Sequence, residues 1–247
     1  MLRISNLSIH SGSRALVRDL SLILPSDGIT ALIGPSGCGK TSVLKWLAGI
    51  LPQDLQSQGQ LTLHGVPVKA PHSAIGYQPQ SDALFPWLTI AENASLGLQV
   101  KGLGKRASKA RVAPLFAPFG LAGCEGLFPS QLSGGMRQRA AFLRTIVQDN
   151  RFMLLDEPFS ALDAVTRLRM QDWLAARLAE RPRAVLLVTH DLHEATGIAD
   201  RILVMAADAR GIVADIPVTL PRPKRSEAAM AGLRDTLKTL LLSETTL

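Results

Sequence analysis

The stretch Gly34-Pro35-Ser36-Gly37-Cys38-Gly39-Lys40-Thr41-Ser42 decides the fold, because it joins a strand pattern to a helix pattern. The apolar run Thr30–Ile33 leads into it, and apolar residues at helical spacing follow it from Val43 to Leu51. Backbone N–H groups in a glycine loop of this spacing can surround a phosphate, and the positive end of the next helix adds to the attraction. The stretch therefore predicts a phosphate-binding loop, with Lys40 on the β- and γ-phosphates and the Thr41 hydroxyl on Mg²⁺. An ordinary glycine turn is the alternative.

The composition indicates a globular chain with an anionic partner. Its 247 residues are 47% hydrophobic and 19% charged, which is enough apolar material for one large domain or two small lobes. No run approaches the ~18 consecutive apolar residues of a membrane-spanning helix. The net charge of +7 suits a phosphate ligand, a nucleic acid or an anionic lipid surface, and composition does not choose among them. No signal-peptide pattern follows Met1, so we expect a reducing cytosol with Cys38 and Cys124 as free thiols.

The order of the other segments predicts an α/β core with an antiparallel edge layer. Period-two apolar patterns near the N-terminus, and strand-like text between residues 60 and 77, are typical of half-buried strands. Short apolar runs around an amphipathic helix at 168–178 indicate buried parallel strands, at 152–155, 184–189, 202–205 and 212–216. We expect an α/β lobe from residues 1–80 and 148–220, an inserted helical lobe at 81–147, and a basic connector with a short helix at 221–247.

A second segment places two acids at the end of a predicted strand. The continuous apolar run Phe152–Leu155 ends in Asp156-Glu157. There Asp156 would hold the Mg²⁺ shell through water, and Glu157 would polarise the attacking water beside the γ-phosphate. A strand that ends in an acidic surface turn is the alternative for this segment alone, and the phosphate-binding loop makes the nucleotide site the better interpretation.

Between these segments lies Leu132-Ser133-Gly134-Gly135-Met136-Arg137-Gln138-Arg139, which resembles the signature motif of ATP-binding cassette (ABC) ATPases. Taken alone, a serine before two glycines and a helix is only a good N-cap. The resemblance extends over essentially the whole chain. Gln80 matches the Q-loop glutamine, Ser160-Ala161-Leu162-Asp163 the D-loop, and Thr189-His190-Asp191 the switch histidine.

The resemblance implies a P-loop NTPase fold, with a RecA-like core and an inserted ABC helical subdomain, and a head-to-tail homodimer. ATP would lie between the phosphate-binding loop of one subunit and the signature helix of the other. Ser133 and Gly135 would donate from across that interface, Gly134 would belong to the same nucleotide-binding segment, and Asp163 would shape the contact beside them.

The same resemblance implies the chemistry within one subunit, hydrolysis of ATP to ADP and phosphate with ATP and Mg²⁺ as cofactors. Thr41, Gln80 and Asp156 would arrange the metal ion. Lys40 would act on the phosphates, Glu157 would be the general base or water-positioning residue, and His190 would sense the γ-phosphate.

Two residues depart from the family pattern. The aromatic residue that usually stacks on adenine would fall on Ser11, within Ile9-His10-Ser11-Gly12, and the usual signature glutamine is Met136. Stacking on a base is worth roughly 1–3 kcal/mol, so either His10 substitutes or base recognition is loose. Met136 follows the phosphate-binding Ser-Gly-Gly core, so we expect it to have a modest effect.

The segment Leu84–Leu98, with Phe85-Pro86-Trp87-Leu88-Thr89-Ile90, resembles motor subunits of bacterial importers for small solutes such as sulfonates, nitrate or thiamine. This implies a peripheral ATPase on the cytoplasmic face of the inner membrane. Its partners would be a second copy of the chain, an integral-membrane permease held in the Q-loop groove, and an extracytoplasmic solute-binding protein.

Two other functions are weighed against this one. A nucleotide-driven scaffold that acts on a membrane complex without moving solute is the alternative. Nucleic-acid binding is disfavoured, because the basic residues are scattered and aromatic residues are only 4% of the chain.

Overall fold

The computed structural model describes residues 1–245 as two β-sheets and surrounding helices. The strands are β1 (Leu2–Ser11), β2 (Arg14–Leu24), β3 (Gly28–Ile33), β4 (Leu55–Leu63), β5 (Val66–Pro67), β6 (Ile75–Gln78), β7 (Phe152–Asp156), β8 (Ala184–Val188), β9 (Arg201–Met205) and β10 (Ile212–Pro217). The helices are α1 (Lys40–Ala48), α2 (Ile90–Val100), α3 (Lys105–Val112), α4 (Gly134–Ile146), α5 (Ala164–Glu180), α6 (Leu192–Ile198) and α7 (Glu227–Thr245). Residues 246 and 247, the end of the predicted C-terminal segment, lie outside the described residues.

The larger sheet places the loops that carry the motifs at one edge. Its strand order is β10-β9-β3-β8-β7-β6, and only the β10–β9 pair is antiparallel. Strands β7 and β8 are buried at every residue, as expected of a parallel sheet that is covered on both faces. Because parallel strands end at the same edge, the segments after β3, β6, β7 and β8 leave the sheet side by side.

The alternation of side chains along β3 divides the core in two. Ile29, Ala31 and Ile33 pack with residues of α4, α5 and the helical segment between β6 and β7. Leu32 packs on the opposite face with α1 and the smaller sheet. That smaller sheet has the order β2-β1-β4-β5 and is antiparallel throughout. The phosphate-binding loop thus begins at a strand that is held by both cores.

Helices α2, α3 and α4 all lie in the chain between β6 and β7. Helix α2 begins at a capping box, in which Thr89 accepts from the N–H of Glu92 and Glu92 accepts from the N–H of Thr89. Asn93 is fully buried and donates to the carbonyls of Phe85, Leu88 and Thr89. These contacts fix the segment that follows Gln80 against the start of α2.

Several strands differ from the sequence predictions by one residue, and three elements differ by more. Helix α1 ends at Ala48 and not at Leu51, because Gly49 has φ 71° and bonds back to the carbonyls of Lys45 and Trp46. Helix α5 starts four residues before the predicted 168 and ends at Glu180. Strand β4 begins at Leu55, since its exposed polar residues pair with β1 without showing an apolar period.

Within residues 1–245, no helix combines the length and the apolar character that crossing a bilayer requires.

Candidate functional site

The phosphate-binding loop is the predicted connection between β3 and α1. Gly37 and Gly39 have φ 80° and 98°, which L-residues with a side chain rarely adopt. A Cβ atom on Gly39 would also lie 2.7 Å from Cγ2 of Val17 and 2.8 Å from the carbonyl oxygen of Leu16. Glycine is therefore required at position 39 by both conformation and space.

Lys40 is held inside the curl of this loop. Its side chain is buried, and its Nζ donates to the carbonyl oxygens of Gly34 at 2.8 Å and Pro35 at 2.7 Å. These acceptors are neutral, so an anionic phosphate oxygen would be a stronger partner for the ammonium group. Burial raises the pKa of the neighbouring Cys38 thiol, and the nearby Lys40 charge partly offsets this rise. Cys38 and Cys124 are both free thiols.

Asp156 lies at the end of β7 beside the first turn of α1. Its Oδ1 accepts from the Thr41 hydroxyl at 3.1 Å and its Oδ2 accepts from the Tyr77 hydroxyl at 3.4 Å. Burial is the main reason that the pKa values of Asp156 and Tyr77 are both raised. The sequence did not indicate Tyr77 as a site residue. Strand alternation on β6 predicts only that Tyr77 and Gln78 lie on opposite faces of the sheet.

Glu157 contacts two other predicted site residues. Its Oε2 accepts from Nε2 of Gln80 at 3.0 Å, and its Oε1 lies 3.1 Å from Nδ1 of His190. The residue has φ 47°, an uncommon left-handed conformation for a side chain of this size. Glu157 is thus held where the ends of β6, β7 and β8 converge.

Backbone contacts hold Glu157 in that conformation. Its N–H donates to the Val188 carbonyl at 2.9 Å, and its own carbonyl accepts from Ser160 Oγ at 3.0 Å and Gln138 Nε2 at 3.2 Å. The other end of the buried Gln138 amide accepts from the N–H of Ala161 at 3.1 Å. Gln138 therefore links α4 to Glu157 and Ala161 in the loop after β7. The sequence did not indicate this role.

The signature segment and the D-loop lie next to each other. Ser133 caps α4 by accepting from the N–H of Met136 at 3.3 Å, and Asp163 caps α5 by accepting from Thr166 at 3.0 Å. The hydrogen bond from Thr166 is also the main reason that the pKa of Asp163 is lowered. A Cβ atom on Gly135 would lie 3.4 Å from the carbonyl oxygen of Ala161.

A cleft of about 290 Å³ opens beside the phosphate-binding loop. Its lining brings together eight of the predicted site residues and one unpredicted aliphatic residue: Leu16, Ser36, Gly37, Gly39, Lys40, Thr41, Ser42, Gln80 and Glu157. Within the described chain, Ser133, Gly134, Gly135 and Asp163 do not line it. One chain therefore assembles the phosphate-binding half of the predicted site, and the signature segment lies apart from it.

Comparison with known proteins places this arrangement in a family. Residues 17–160 match the family described as "ABC transporter". A formylaminopyrimidine import ATP-binding protein (ThiZ) of Halalkalibacterium halodurans is 38% identical over 231 residues, covering 93% of this chain and 89% of the relative. An aliphatic sulfonates import ATP-binding protein (SsuB 1) of Xanthomonas axonopodis pv. citri is 39% identical over 232 residues, covering 93% and 90%.

Two further matches agree. A taurine import ATP-binding protein (TauB) of Yersinia pestis is 38% identical over 206 residues, 83% of this chain and 80% of the relative. A solved post-hydrolysis dimer of the ATP-binding cassette MJ0796, bound to ADP and Pi, covers 90% of this chain and 100% of that chain. Its TM-score is 0.78 at 23% identity, which supports the fold alone.

The sheet topology, the solved neighbour and the family match define the α/β fold of an ABC ATPase, as the sequence predicted. The chain belongs to the ABC transporter family. Within that family it is the ATP-binding subunit, the ATPase that energises transport. The predicted resemblance, fold class and nucleotide are thus confirmed.

Proposed function

We propose that this chain hydrolyses ATP as a homodimer and drives a separate membrane permease that imports a small solute. The observation that carries the proposal is the convergence of Lys40, Thr41, Asp156, Glu157 and His190 at one edge of the parallel sheet. Residues 1–80 and 148–220 would form the catalytic lobe, and residues 81–147 the helical lobe that carries the signature motif.

The phosphate-binding loop would hold the triphosphate from Gly34 to Ser42. Its backbone N–H groups would face the phosphates, and the N-terminal end of α1 would add its positive partial charge. Lys40 would exchange its two neutral carbonyl acceptors for phosphate oxygens as nucleotide enters.

The residues around Asp156 fit a magnesium ion. The Thr41 hydroxyl and the Asp156 carboxylate are already in contact, and Gln80 donates through Nε2, which leaves its amide oxygen available. These are the hard oxygen ligands that Mg²⁺ prefers, and such a site commonly uses one or two carboxylates together with substrate phosphates. When bound, the ion supplies positive charge to the β- and γ-phosphate oxygens.

Glu157 would orient the attacking water and accept its proton. The carboxylate is mostly buried, at 17% exposure, and its two oxygens contact Gln80 and His190. His190 is more exposed, at 66%, so its ring can reach a γ-phosphate beside Glu157. The proposed base, metal-binding side chains and phosphate sensor would then act within one connected set of contacts.

Ser133, Gly134, Gly135 and Asp163 would complete the site of a second subunit. They lie outside the cleft of their own chain and flank the start of α4 and α5, where free N–H groups attract an anion. Hydrolysis would then require that two chains close on each other.

The permease would bind beside Gln80. Phe85 and Trp87 lie on the segment that follows it, with ring centroids 5.5 Å apart, and Trp87 is 70% exposed. Exposed aromatic residues on a braced surface segment favour a protein contact. The relatives carry import of formylaminopyrimidine, taurine or aliphatic sulfonates in their names, which favours a small polar solute of that size here.

The complex would thus lie on the cytoplasmic face of the inner membrane and include an extracytoplasmic solute-binding protein. Absence of a nucleic-acid partner remains a prediction. The alternative, a scaffold without solute transport, would share the ATPase cycle and differ only in what the membrane partner does.

The substitution Glu157→Gln tests the chemistry. We expect ATP to bind with unchanged affinity, turnover to fall roughly 10²- to 10⁴-fold, the range for loss of a general base, and an ATP-bound dimer to accumulate. Steady-state hydrolysis and size-exclusion chromatography with ATP measure the two effects. Asp235→Asn, at an exposed carboxylate on α7, a helix with no residue in the cleft lining, is the matched control and should hydrolyse ATP normally. Undiminished turnover in Glu157→Gln would contradict the assigned role.

Affinity capture from detergent-solubilised membranes tests the partner. An integral-membrane permease should copurify with the wild-type chain, and Trp87→Ala should weaken its recovery. Recovery of ribosomes or DNA without a membrane protein would overturn the transport proposal.

A further inference from the structure

One arginine outside the predicted site connects two of its motifs. Arg167 lies in the first turn of α5, and its NH1 group donates to Oδ2 of Asp191 at 2.7 Å. Its NH2 group donates to the carbonyl oxygen of Leu162 at 3.3 Å. Asp191 directly follows His190, and Leu162 belongs to the D-loop segment 160–163. A single guanidinium group therefore spans from the D-loop backbone to the residue beside the switch histidine.

The other oxygen of Asp191 fixes the start of the switch helix. Its Oδ1 accepts from the N–H of His193 at 2.8 Å and from that of Glu194 at 3.3 Å, which caps α6. The carboxylate thus has one oxygen on α6 and one on α5. Because His190 is the preceding residue, this carboxylate anchors the backbone that carries the His190 ring.

Arg167 also shares a small cleft with the hydrolytic residues. A space of about 50 Å³ is lined by Glu157, Phe159, Ser160, Arg167, Thr189, His190, Asp191 and Glu194. The Arg167 side chain is about two-thirds buried, and within residues 1–245 its Nε has no hydrogen-bond partner. A planar guanidinium can serve two acceptors at fixed angles, which a lysine ammonium cannot reproduce.

A second bridge supports the same pair of helices. Nε2 of Gln171 on α5 donates to Oε1 of Glu194 on α6 at 3.3 Å, and both side chains are buried. This contact lies one turn further along α5 and holds the helices together independently of Arg167. Loss of Arg167 would therefore loosen the loop that carries His190 before it separated the helices.

We propose that Arg167 is a positioning residue for ATP hydrolysis, which ties the switch-histidine loop to the D-loop so that His190 meets Glu157 only while the D-loop is in place. The proposal rests on the proposed function, in which the D-loop contacts the second subunit. Contact between subunits would then be transmitted to His190 through Leu162, Arg167 and Asp191, by a route that does not pass through the nucleotide.

The first experiment compares Arg167→Gln, Arg167→Lys and Arg169→Gln. Arg169 is exposed on the same helix, and its side chain has no hydrogen bond or ion pair within the described chain, so its substitution is the control for charge. We expect Arg167→Gln to lower kcat roughly 10- to 100-fold, as displacement of a positioned group does, with KM and nucleotide affinity unchanged. Arg167→Lys should restore part of kcat, and Arg169→Gln should match the wild type.

The second experiment asks whether Arg167 acts through His190. Single-turnover hydrolysis is measured for His190→Ala and for the double variant His190→Ala/Arg167→Gln. If Arg167 works by placing His190, the two rates should agree within about twofold. A merely structural contribution would instead lower the rate of the double variant further. Thermal unfolding of all variants identifies any that fail to fold. If Arg167→Gln does not fold, Arg167→Lys replaces it in both comparisons.

Normal kcat in folded Arg167→Gln, or full additivity with His190→Ala, would overturn this inference. Such a result would leave the proposed function intact as long as Glu157→Gln still abolished turnover. Unchanged turnover in Glu157→Gln would instead show that the proposed hydrolytic site itself is wrong.

Discussion

Replacing Gln78 with methionine is expected to stabilise the protein. Gln78 ends β6, is completely buried, and neither its Nε2 nor its Oε1 has a hydrogen-bond partner within residues 1–245. A buried polar group left unpaired costs about 1–3 kcal/mol. Methionine keeps the unbranched shape of glutamine, so little strain should offset the gain.

The predicted gain can be measured as a shift in unfolding temperature. We expect the free energy of unfolding to rise by about 1–3 kcal/mol, and for a chain of this size each kcal/mol corresponds to roughly 2–4 °C in Tm. Thermal and urea unfolding of Gln78→Met should therefore show an increase of several degrees with an unchanged m-value. Gln58→Met, at an exposed position on β4, is the control and should change Tm by no more than about 2 °C.

An unchanged or lower Tm would refute this reasoning. It would show that in solution the Gln78 amide is hydrogen-bonded, for example by an internal water molecule, so that the substitution removes a satisfied group. An equal rise in Tm in Gln78→Met and Gln58→Met would point to a general effect of added methionine.

The remaining predictions concern the helical segment and the base of the nucleotide. The pKa of Glu92 is lowered to about 2, mainly by the hydrogen bond from the Thr89 N–H and then by Lys105. Ionised Glu92 therefore stabilises the folded protein above its ordinary pKa of 4.5, and this stabilisation is lost as pH falls toward 2. Glu92→Gln should therefore lower stability at pH 7 by roughly 1 kcal/mol, and unfolding curves of the two proteins should converge near pH 2; a constant difference would contradict this. Because Ser11 replaces the expected aromatic residue, ATP and GTP should compete less unequally for the cleft than in relatives with that aromatic, and strong ATP preference in a nucleotide-displacement assay would count against loose base recognition.

The sequence was most informative where a motif is set by local backbone chemistry. The loop from Gly34 to Ser42 needs left-handed glycines and a helix start, and both requirements are visible in consecutive residues. The acids that follow the apolar run of β7 are visible for the same reason. The α/β class followed from the order of short apolar runs.

Residues that act through tertiary contacts were not predictable in this way. Gln138 and Tyr77 reach the site across 19 and 79 residues of sequence, and nothing in their local patterns distinguishes them from other polar residues. Leu16 lines the cleft because β2 passes beside the phosphate-binding loop, which depends on how the two sheets pack. The first half of β4 was not predicted because its polar side chains stay exposed to solvent while its backbone pairs with β1. It therefore shows no apolar alternation.

The left-handed backbone at Glu157 has a consequence for how this protein can evolve. Such a conformation costs about 1–3 kcal/mol in a residue with a side chain, and glycine would adopt it without that cost. Selection for thermal stability alone would thus favour glycine at this position, whereas selection for turnover retains the carboxylate. At position 157, thermal stability and catalytic rate therefore favour different residues.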